Sequence, residues 1–370
     1  MNRKVSEIFG DWNEQGALTQ HQGPDTTITG IAAMEAFGSH DLVFVDKPYF
    51  TQMIAQGTPA CIVTTSKLAE EFSDQEGLAI LIAPNVGLAQ ALMRQTYVDR
   101  DLRNTEWPTV HPSAVIHETV QLGEGTVVGP CVVMGTGVVT GCECVIMAGS
   151  VIEHGVQMGD RTVIHPNVVV GYDCELGNEV IIHSGSIIGS EGYGFAQDEK
   201  KQSYRIPQLG NVVIEDRVRV GACNCIDRAT YTETRIGAGT KFDNFCHIAH
   251  NVIVGQDCLL TAGLIVAGST TLGHRIIASG ATGIIDHLKI CDDTVFVHRA
   301  GVIHDITEPG VYAGTPTQPW AEYRRNVAAG RRANETLARL RELEKKVEAL
   351  EARPETPHLT TPSVPRNENR

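Results

Sequence analysis

The stretch "TVVGPCVVMGTGVVTGCECVIMAGSVI" (126–152) places an aliphatic residue at every sixth position. The series runs from Val128 to Ile152 and is interrupted only at Thr140. A small or β-branched residue stands four positions after each of these residues, and glycine often follows directly. A period of six is neither the alternation of an ordinary strand nor the repeat of a helix, and it is typical of a parallel β-helix. This stretch therefore predicts the fold class.

The same period extends well beyond the quoted stretch. It begins at Ile116 and reaches Ile188, restarts at Ile214, slips by four residues, and then runs from Ile236 to Val302. Three hexads make one triangular coil, so about nine coils are expected. In this interpretation the large aliphatic residue fills the interior, the small residue packs near a corner, and glycine permits the tight turn.

The cysteines fit the same pattern. Four of the ten occupy the small-residue position of the hexads: Cys144, Cys174, Cys246 and Cys258. We interpret them as packing residues. The sequence has no CxxC pair, and its first residues, "MNRKVSEIFGDWNEQ" (1–15), show no apolar signal region. Reduced thiols and a cytoplasmic location are therefore expected.

Composition narrows the classes of partner. The chain has 370 residues and a net charge of −14, which argues against a nucleic-acid partner. No apolar run approaches the length needed to cross a bilayer, so no stable membrane insertion is expected. Only 5% of the residues are aromatic while 37 are glycine, as expected of many short strands around a thin core.

Four segments are predicted along the chain: a small α/β domain over 1–108, the β-helix over 109–312 with a loop insertion at 189–213, a helical extension over 313–353, and a disordered tail over 354–370. In the first domain, strands are expected within 26–37, 41–50, 58–65 and 77–83, and helices within 67–72 and 87–98. The fold class is thus mainly β, with an N-terminal α/β domain and C-terminal helices.

The C-terminal segment carries a heptad pattern. From Ala329 to Leu350, small and apolar residues alternate in steps of four and three, which is the seam of a coiled coil and favours self-association. The alternative is an amphipathic helix folded onto its own solenoid.

Motifs outside the bare repeat carry a resemblance to a known family. They are "GSEGYGFA" (189–196), "RIPQLG" (205–210), "IGAGTKFDNFCHIAHNV" (236–252), "AGST" (267–270), "GIIDHLKICDD" (283–293) and "ITEPGVYAGTP" (306–316). With the three-part layout, they resemble the UDP-3-O-(3-hydroxyacyl)glucosamine N-acyltransferases of lipid A synthesis. The resemblance implies a left-handed β-helix and a homotrimer with active sites between neighbouring β-helices. It also implies transfer of a 3-hydroxyacyl chain from acyl carrier protein to the 2-amine of a UDP-glucosamine.

The chemistry directs attention to histidine. Amide formation from a thioester requires a deprotonated amine, and histidine titrates near neutral pH. The resemblance makes His250 the general base, Asp243 the carboxylate that orients it, and Asn244 a polar contact in the same cleft. His287, two coils and one residue further on, would assist the thioester end, roughly 10 Å away along the axis.

His247 leaves two interpretations open. Relatives often carry glutamine there, so His247 is expected to contact substrate, but it is also a second candidate base three residues from His250. A zinc-dependent hydratase could use both histidines, yet a third ligand at matching spacing is missing. No metal and no tightly bound cofactor are expected.

Substrate recognition is expected at both ends of the chain. The segment "VFVDKPYF" (43–50) matches the family's uridine-binding segment, in which Tyr49 would stack on uracil. Asp46 replaces the usual asparagine there, and a buried edge strand is the structural alternative. Gly301 stands where some relatives place a methionine that limits acyl length, so longer acyl chains are expected here.

Two other functions remain open from the sequence. One is a sugar-nucleotide acyltransferase that uses acyl-CoA, and the other is a non-catalytic solenoid scaffold. Arginine and lysine residues within 320–346 are expected to receive the acidic acyl carrier protein.

Overall fold

The computed structural model describes residues 1–48, 57–104 and 106–351, except for the side chain of Leu350. The chain divides into two compact units after Asn104. None of the described helices combines the length and the hydropathy needed to span a membrane.

The N-terminal unit is built on a five-stranded sheet. The strands of the whole unit, including a separate two-stranded sheet, are β1 (Arg3–Lys4), β2 (Gln20–Gln22), β3 (Thr27–Ile28), β4 (Gly30–Ile31), β5 (Asp41–Val45), β6 (Cys61–Thr64) and β7 (Ala79–Ile82). Its helices are α1 (Val5–Asn13), α2 (Ser66–Ala69), which continues as a 3₁₀ turn (Glu70–Phe72), and α3 (Val86–Tyr97). The sheet order is β2-β7-β6-β5-β4, parallel except for β2, while β1 pairs with β3.

Most of these elements coincide with the segments predicted from sequence, but β1, α1 and β2 were not predicted. Helix α1 buries Val5, Ile8 and Trp12 on one face, and the Glu7 carboxylate accepts the Lys4 backbone N–H (2.9 Å) at its start. Val5, Ile8 and Trp12 have the i, i+3, i+7 spacing of an amphipathic helix, so this nine-residue helix had a readable signal in the sequence.

The second unit is a parallel solenoid with three faces. The ten-stranded sheet contains β8 (Val115–Ile116), β10 (Val133–Met134), β13 (Val151–Ile152), β16 (Val169–Val170), β19 (Ile187–Glu191), β24 (Cys225–Arg228), β27 (His247–Ile248), β30 (Ile265–Val266), β33 (Gly283–Ile284) and β36 (Gly301–Val302). The eight-stranded sheet contains β11 (Val139–Thr140), β14 (Gln157–Met158), β17 (Glu175–Leu176), β22 (Asn211–Ile214), β25 (Glu233–Ile236), β28 (Ile253–Val254), β31 (Thr271–Leu272) and β34 (Lys289–Ile290). The eleven-stranded sheet contains β9 (Val127–Val128), β12 (Val145–Ile146), β15 (Val163–Ile164), β18 (Ile181–Ile182), β23 (Arg219–Val220), β26 (Lys241–Phe242), β29 (Leu259–Leu260), β32 (Ile277–Ala278), β35 (Thr294–Phe296), β37 (Gly310–Ala313) and β38 (Gln318–Pro319), the last antiparallel to β37.

Register confirms the coil of three hexads. Val133 pairs with Val151, and Val151 pairs with Val169, so away from the two interruptions each strand lies on the one eighteen residues earlier. The second residue of each short strand points inward, where the aliphatic side chains form one continuous core. Thr140, the polar exception, is buried and accepts a hydrogen bond from the Gly123 N–H. Its hydroxyl therefore stays paired inside the core.

The cysteine interpretation is confirmed. Cys144, Cys174, Cys246 and Cys258 are all buried within the solenoid. Burial raises the pKa of each of these thiols, so they remain protonated packing groups.

The role expected of glycine was wrong in detail. A Cβ on Gly123, which directly follows an apolar position, would overlap the carbonyl group of Gly141 in the next coil. Glycine at this position therefore permits close stacking of coils. The left-handed backbone falls two residues later, where it is adopted by Gly137 (φ +70°) but also by Cys131 (φ +57°) and Asn167 (φ +59°).

Both interruptions of the repeat are ordered in the structure. The loop at 189–213 contains a hairpin of β20 (Phe195–Gln197) and β21 (Ser203–Arg205), and its start is marked by a register shift between Ile188 and Ser190. The four-residue slip lies between β24 and β25. These interruptions are where the site is built.

The C-terminal segment forms two helices, α4 (Trp320–Arg331) and α5 (Ala333–Glu351). Arg332 has non-helical angles (φ −100°, ψ 4°) and breaks the single seam that the heptads predicted. Helix α4 contacts β37 and β38, whereas the described side chains of α5 are exposed. Leu340, Leu343 and Val347 are 51–52% exposed, so α5 does not fold onto its own solenoid.

Candidate active site

His250 lies in a slot between two glycines. It follows β27 at the corner between the ten-stranded and eight-stranded sheets. A Cβ placed on Gly192 would lie 2.7 Å from His250 Cβ, and one placed on Gly268 would lie 2.9 Å from His250 Nε2. Gly192 belongs to the loop at 189–213, and Gly268 belongs to the next coil. The imidazole is therefore held from both sides by backbone that no other residue could supply.

Neighbouring hydrogen bonds fix the tautomer of His250. Its Nδ1 lies 3.0 Å from Asn251 Oδ1. The same oxygen accepts the Thr230 backbone N–H (3.2 Å), while the Thr230 hydroxyl, 3.1 Å away, has its shorter bond to Gln208 Oε1 (2.8 Å). A backbone N–H can only donate, so the amide oxygen must face this group, and Nδ1 must carry a proton. In the neutral imidazole, Nε2 is then left with the lone pair that a base requires.

Arg228 anchors the loop that carries Gly192. It is only 2% exposed, and its guanidinium donates to the carbonyl oxygens of Gly189 (2.9 Å), Gly210 (3.0 Å) and Tyr172 (2.7 Å). Its guanidinium carbon also lies 3.3 Å from the centroid of the Tyr172 ring. Both ends of the loop are thus tied to one buried cation.

His287 lies at the same corner as His250, two coils further on. Strands β27, β30 and β33 stack in that order, and the His287 N–H donates to the Gly268 carbonyl (3.0 Å). The His287 side chain is exposed, with Nε2 3.8 Å from Asp286 Oδ2. The structure therefore brings His250, Gly268 and His287 into one column.

Asp243 and Asn244 lie at a different corner of the solenoid from His250, the one between the eleven-stranded and ten-stranded sheets. Asp243 accepts the backbone N–H groups of Asn244 (2.8 Å) and Ala262 (3.2 Å), and Asn244 Oδ1 accepts the Ala222 N–H (2.7 Å). Within the described part of one chain, Asp243 makes no hydrogen bond to His250. The expected orienting contact is therefore not present in one chain, because the two residues flank opposite ends of β27, and Asn251 fills that role.

His247 lies outside the slot of His250. It projects from the outer face of the ten-stranded sheet, where its Nε2 is 3.7 Å from Asp227 Oδ2. Cys225 and Ser190 complete this group, with Ser190 Oγ 2.6 Å from Asp227 Oδ1. Burial, with a contribution from Asp227, raises the pKa of the Cys225 thiol, which makes it a poor nucleophile.

The space expected beside Gly301 is filled. A Cβ on Gly301 would lie 2.7 Å from Cγ2 and 2.8 Å from Oγ1 of Thr315, so the expected vacancy at this position was wrong. Gly283, one coil earlier on the same outer face, has no atom within 4 Å of a Cβ position. Open space therefore lies beside Gly283.

Comparison with known proteins gives the family. A family model described as bacterial transferase hexapeptide (six repeats) matches residues 137–172 and 157–190. A UDP-3-O-acylglucosamine N-acyltransferase from Methylococcus capsulatus is 49% identical over 350 residues, covering 95% of this chain and 99% of the relative. The chain belongs to the UDP-3-O-acylglucosamine N-acyltransferase family. The enzyme of the same name from Bordetella avium is 37% identical, covering 92% of this chain and 97% of its own.

The solved structures agree with this N-acyltransferase in fold. An Arabidopsis UDP-N-acetylglucosamine acyltransferase superposes with a TM-score of 0.50 at 22% identity, over 59% of this chain and 76% of that one. At this identity the similarity concerns the fold alone.

Sequence reasoning missed several residues of this N-acyltransferase site. Thr230 lies in the four-residue slip and contacts Asn251, which in turn contacts His250. A regular repeat gives no basis for predicting these contacts. Gly192 and Gly268 stood in quoted motifs, and the absence of a side chain at both positions was the available signal. In the N-terminal unit, Asp46 is exposed after β5, while Tyr49 lies outside the described residues.

Proposed function

We propose that this enzyme transfers a 3-hydroxyacyl chain from acyl carrier protein to the 2-amine of UDP-3-O-acylglucosamine, a step of lipid A synthesis. His250 is the general base. The observation that carries the proposal is the hydrogen bond between His250 Nδ1 and Asn251 Oδ1, since it leaves Nε2 as the proton acceptor.

The reaction needs one proton to move twice. The amine forms its bond to the thioester carbonyl while His250 Nε2 removes its proton, which gives a tetrahedral oxyanion. The C–S bond then breaks, and the imidazolium returns the proton to the departing thiolate. The products are an amide and the free thiol of the carrier. Gly268 packs against the imidazole, and its backbone N–H is our candidate donor to the oxyanion.

The UDP moiety is assigned to the N-terminal unit. The exposed carboxylate of Asp46, directly after β5, is placed to accept a hydrogen bond from the uracil N–H. The proposed stacking of Tyr49 on the base lies outside the described residues and rests on the motif. The acyl chain is assigned to the outer face of the ten-stranded sheet, along Ile265 and the open space at Gly283.

Two features support a homotrimer with shared sites. The outer positions of the ten-stranded sheet from Val115 to Ile187 are all valine or isoleucine and are exposed or half-buried, and the exposed Ile265 resumes this apolar stripe beyond Cys225 and His247. A stripe of this kind favours an interface. A second copy could also bring its Asp243 and Asn244 corner to the His250 corner of the first, which one chain cannot do.

The carrier is assigned to α4 and α5, and the enzyme to the cytoplasm. Within 320–346, eight arginine and lysine residues stand against four glutamates in a chain of net charge −14. This local reversal of sign suits an acidic carrier. All ten cysteines are unpaired, which agrees with a reducing compartment.

The direct test is product analysis by mass spectrometry. Purified enzyme is offered hydroxyacyl thioesters of acyl carrier protein or coenzyme A, with UDP-3-O-acylglucosamine or other UDP-amino sugars. We expect an N-acylated product from the carrier thioester, and almost none from His250→Ala. The matched control is His117→Ala, an exposed histidine bonded to Thr119 in another coil. Turnover with coenzyme A thioesters alone would favour a different donor, and full activity in His250→Ala would rule out this base.

A further inference from the structure

A second group of reactive side chains lies on the outer face of the ten-stranded sheet, next to the active-site corner. Cys225 and Asp227 are two apart on β24, so their side chains emerge on the same face. His247 pairs with Cys225 across the ladder to β27, and Ser190 pairs with Asp227 across the ladder to β19. The four side chains therefore converge from three consecutive coils.

The geometry is that of a small ligand set. Cys225 Sγ lies 3.6 Å from Asp227 Oδ1, and His247 Nε2 lies 3.7 Å from Asp227 Oδ2. The thiol, carboxylate and imidazole donor atoms all lie within 4.8 Å of one another. Around a tetrahedral zinc ion, sulfur, nitrogen and oxygen ligands are separated by about 3.4–3.6 Å, as their bond lengths require. Small side-chain movements would bring these atoms to that spacing.

Among the described residues, the carboxylate of Asp227 has no permanently charged partner, and its nearest basic group is the His247 imidazole. Asp227 is only 5% exposed, yet among the described residues no lysine or arginine forms an ion pair with it. The adjacent Arg228 is turned away, with its nitrogens donating to three backbone carbonyls. A buried carboxylate without a cationic partner is costly. Ser190 donates to Oδ1, which orients the carboxylate and leaves Oδ2 directed towards His247.

We propose that Cys225, Asp227 and His247 bind one Zn²⁺ per chain. A thiolate, an imidazole and a carboxylate form a set that selects zinc over the hard cations magnesium and calcium. Water or the Ser190 hydroxyl would complete the tetrahedron. This replaces the expectation of no metal, and it uses a ligand set different from the His247 and His250 pair considered from sequence.

The bound ion would cross-link neighbouring coils of the solenoid. It joins β24 to β27, and through Ser190 it restrains the point where the register shifts and the loop carrying Gly192 begins. His250 is not a ligand, because its ring is enclosed by two glycines and its Nδ1 is bonded to Asn251. The ion would therefore stabilise the fold around the base and take no part in proton transfer.

The test is metal binding by the full chain after removal of metals with a chelator. Equilibrium dialysis against Zn²⁺, followed by elemental analysis, should give one zinc per chain. Cys225→Ser and His247→Gln should each weaken binding at least about tenfold, as loss of a metal-orienting group typically does. The matched control is Cys223→Ser, an exposed cysteine two residues away, which should bind zinc normally. Cobalt in place of zinc should give sulfur-to-metal charge-transfer absorption in the wild type and in Cys223→Ser, but not in Cys225→Ser.

A second measurement covers variants that fold poorly. Zinc should raise the Tm of the wild type and of Cys223→Ser, and should leave that of His247→Gln unchanged. Substoichiometric zinc in the wild type, equal binding by Cys225→Ser, or loss of binding in Cys223→Ser would each overturn the proposal.

Discussion

At the scale of single residues, the proposed catalysis depends on which nitrogen of His250 carries the proton. Asn251 Oδ1 accepts hydrogen bonds from the Thr230 backbone N–H and from the imidazole Nδ1. We expect Asn251→Ala to lower kcat by about a hundredfold, because the base would lose its fixed tautomer. Asn251→Asp keeps the acceptor and should retain most activity, with the pH–rate profile moved upwards because a carboxylate stabilises imidazolium. Equal kcat in the wild type and Asn251→Ala would remove Asn251 from the mechanism.

A second prediction at the residue scale concerns the effect of His183 on the pH dependence of stability. Its ring stacks on that of His165 with centroids 4.4 Å apart, and its Nε2 is buried without a hydrogen-bond partner among the described residues. Burial, with smaller contributions from His165 and Arg219, lowers the pKa of His183 from 6.5 to about 4. Between these two pH values His183 is protonated in the unfolded chain but not in the folded chain. The free energy of unfolding therefore falls as the pH falls from 6.5 to 4.

The measurement is denaturant unfolding at pH 7 and pH 5. His183→Gln should lose less stability over this interval than the wild type does. His117→Gln, at an exposed histidine in the same hexad position, should behave like the wild type. If His183→Gln is as acid-sensitive as the wild type, the acid response arises elsewhere.

At the scale of elements, regular repeats were predictable and departures from them were not. The inward positions from Val128 onward followed from spacing alone, because one face of every strand must be buried. The break at Arg332 was not predictable, since the heptad pattern continues through it. The separation of Asp243 from His250 was missed because both lie in one motif, although a strand turns the chain to another corner between them.

The group of Cys225, Asp227 and His247 had a readable signal. Cys225 and Asp227 alternate on one strand, and His247 follows Cys225 by one coil plus the four-residue slip. Correcting the register for the slip would have placed these residues together.

We expect side chains on the outer face of the ten-stranded sheet to determine which length of acyl chain the enzyme prefers. Gly283→Leu adds a side chain into open space, so donors shortened by two carbons should gain about tenfold in relative kcat/KM, at about 0.8 kcal/mol for each buried methylene. Gly301→Met must instead displace Thr315, and should lower Tm without a comparable change in selectivity. A panel of hydroxyacyl donors with thermal melts measures both. Unchanged chain-length preference in Gly283→Leu would place the groove elsewhere.

We expect acyl carrier protein to bind at helices α4 and α5. The double variant Arg331→Glu/Arg332→Glu should raise KM for the acyl carrier protein several-fold while leaving KM for the UDP-sugar unchanged, because rim charges act mainly on association. The matched control is Lys200→Glu/Lys201→Glu, an equal change of charge at the exposed turn of the hairpin formed by β20 and β21. Equal effects of the two double variants would mean that only net charge matters.

At the scale of the whole molecule, the described chain holds only part of the proposed site. His250, Gly268 and His287 share one corner, whereas Asp243 and Asn244 occupy another. A cyclic trimer repeats the same contact three times, so each site would take its base from one copy and its carboxylate from the next.

Mixing two inactive variants tests this arrangement. His250→Ala and Asp243→Ala should each be inactive alone. When they are co-expressed in equal amounts, random assembly in a cyclic trimer should leave about a quarter of the sites with both residues intact. Activity should therefore return to about a quarter of the wild-type kcat per chain, with an unchanged KM, because each restored site is complete. If both residues served the same site from one chain, no mixture of these variants could restore it. Size-exclusion chromatography and differential tagging establish that mixed trimers have formed, and an inactive mixture of confirmed mixed trimers would show that Asp243 and His250 do not meet across an interface.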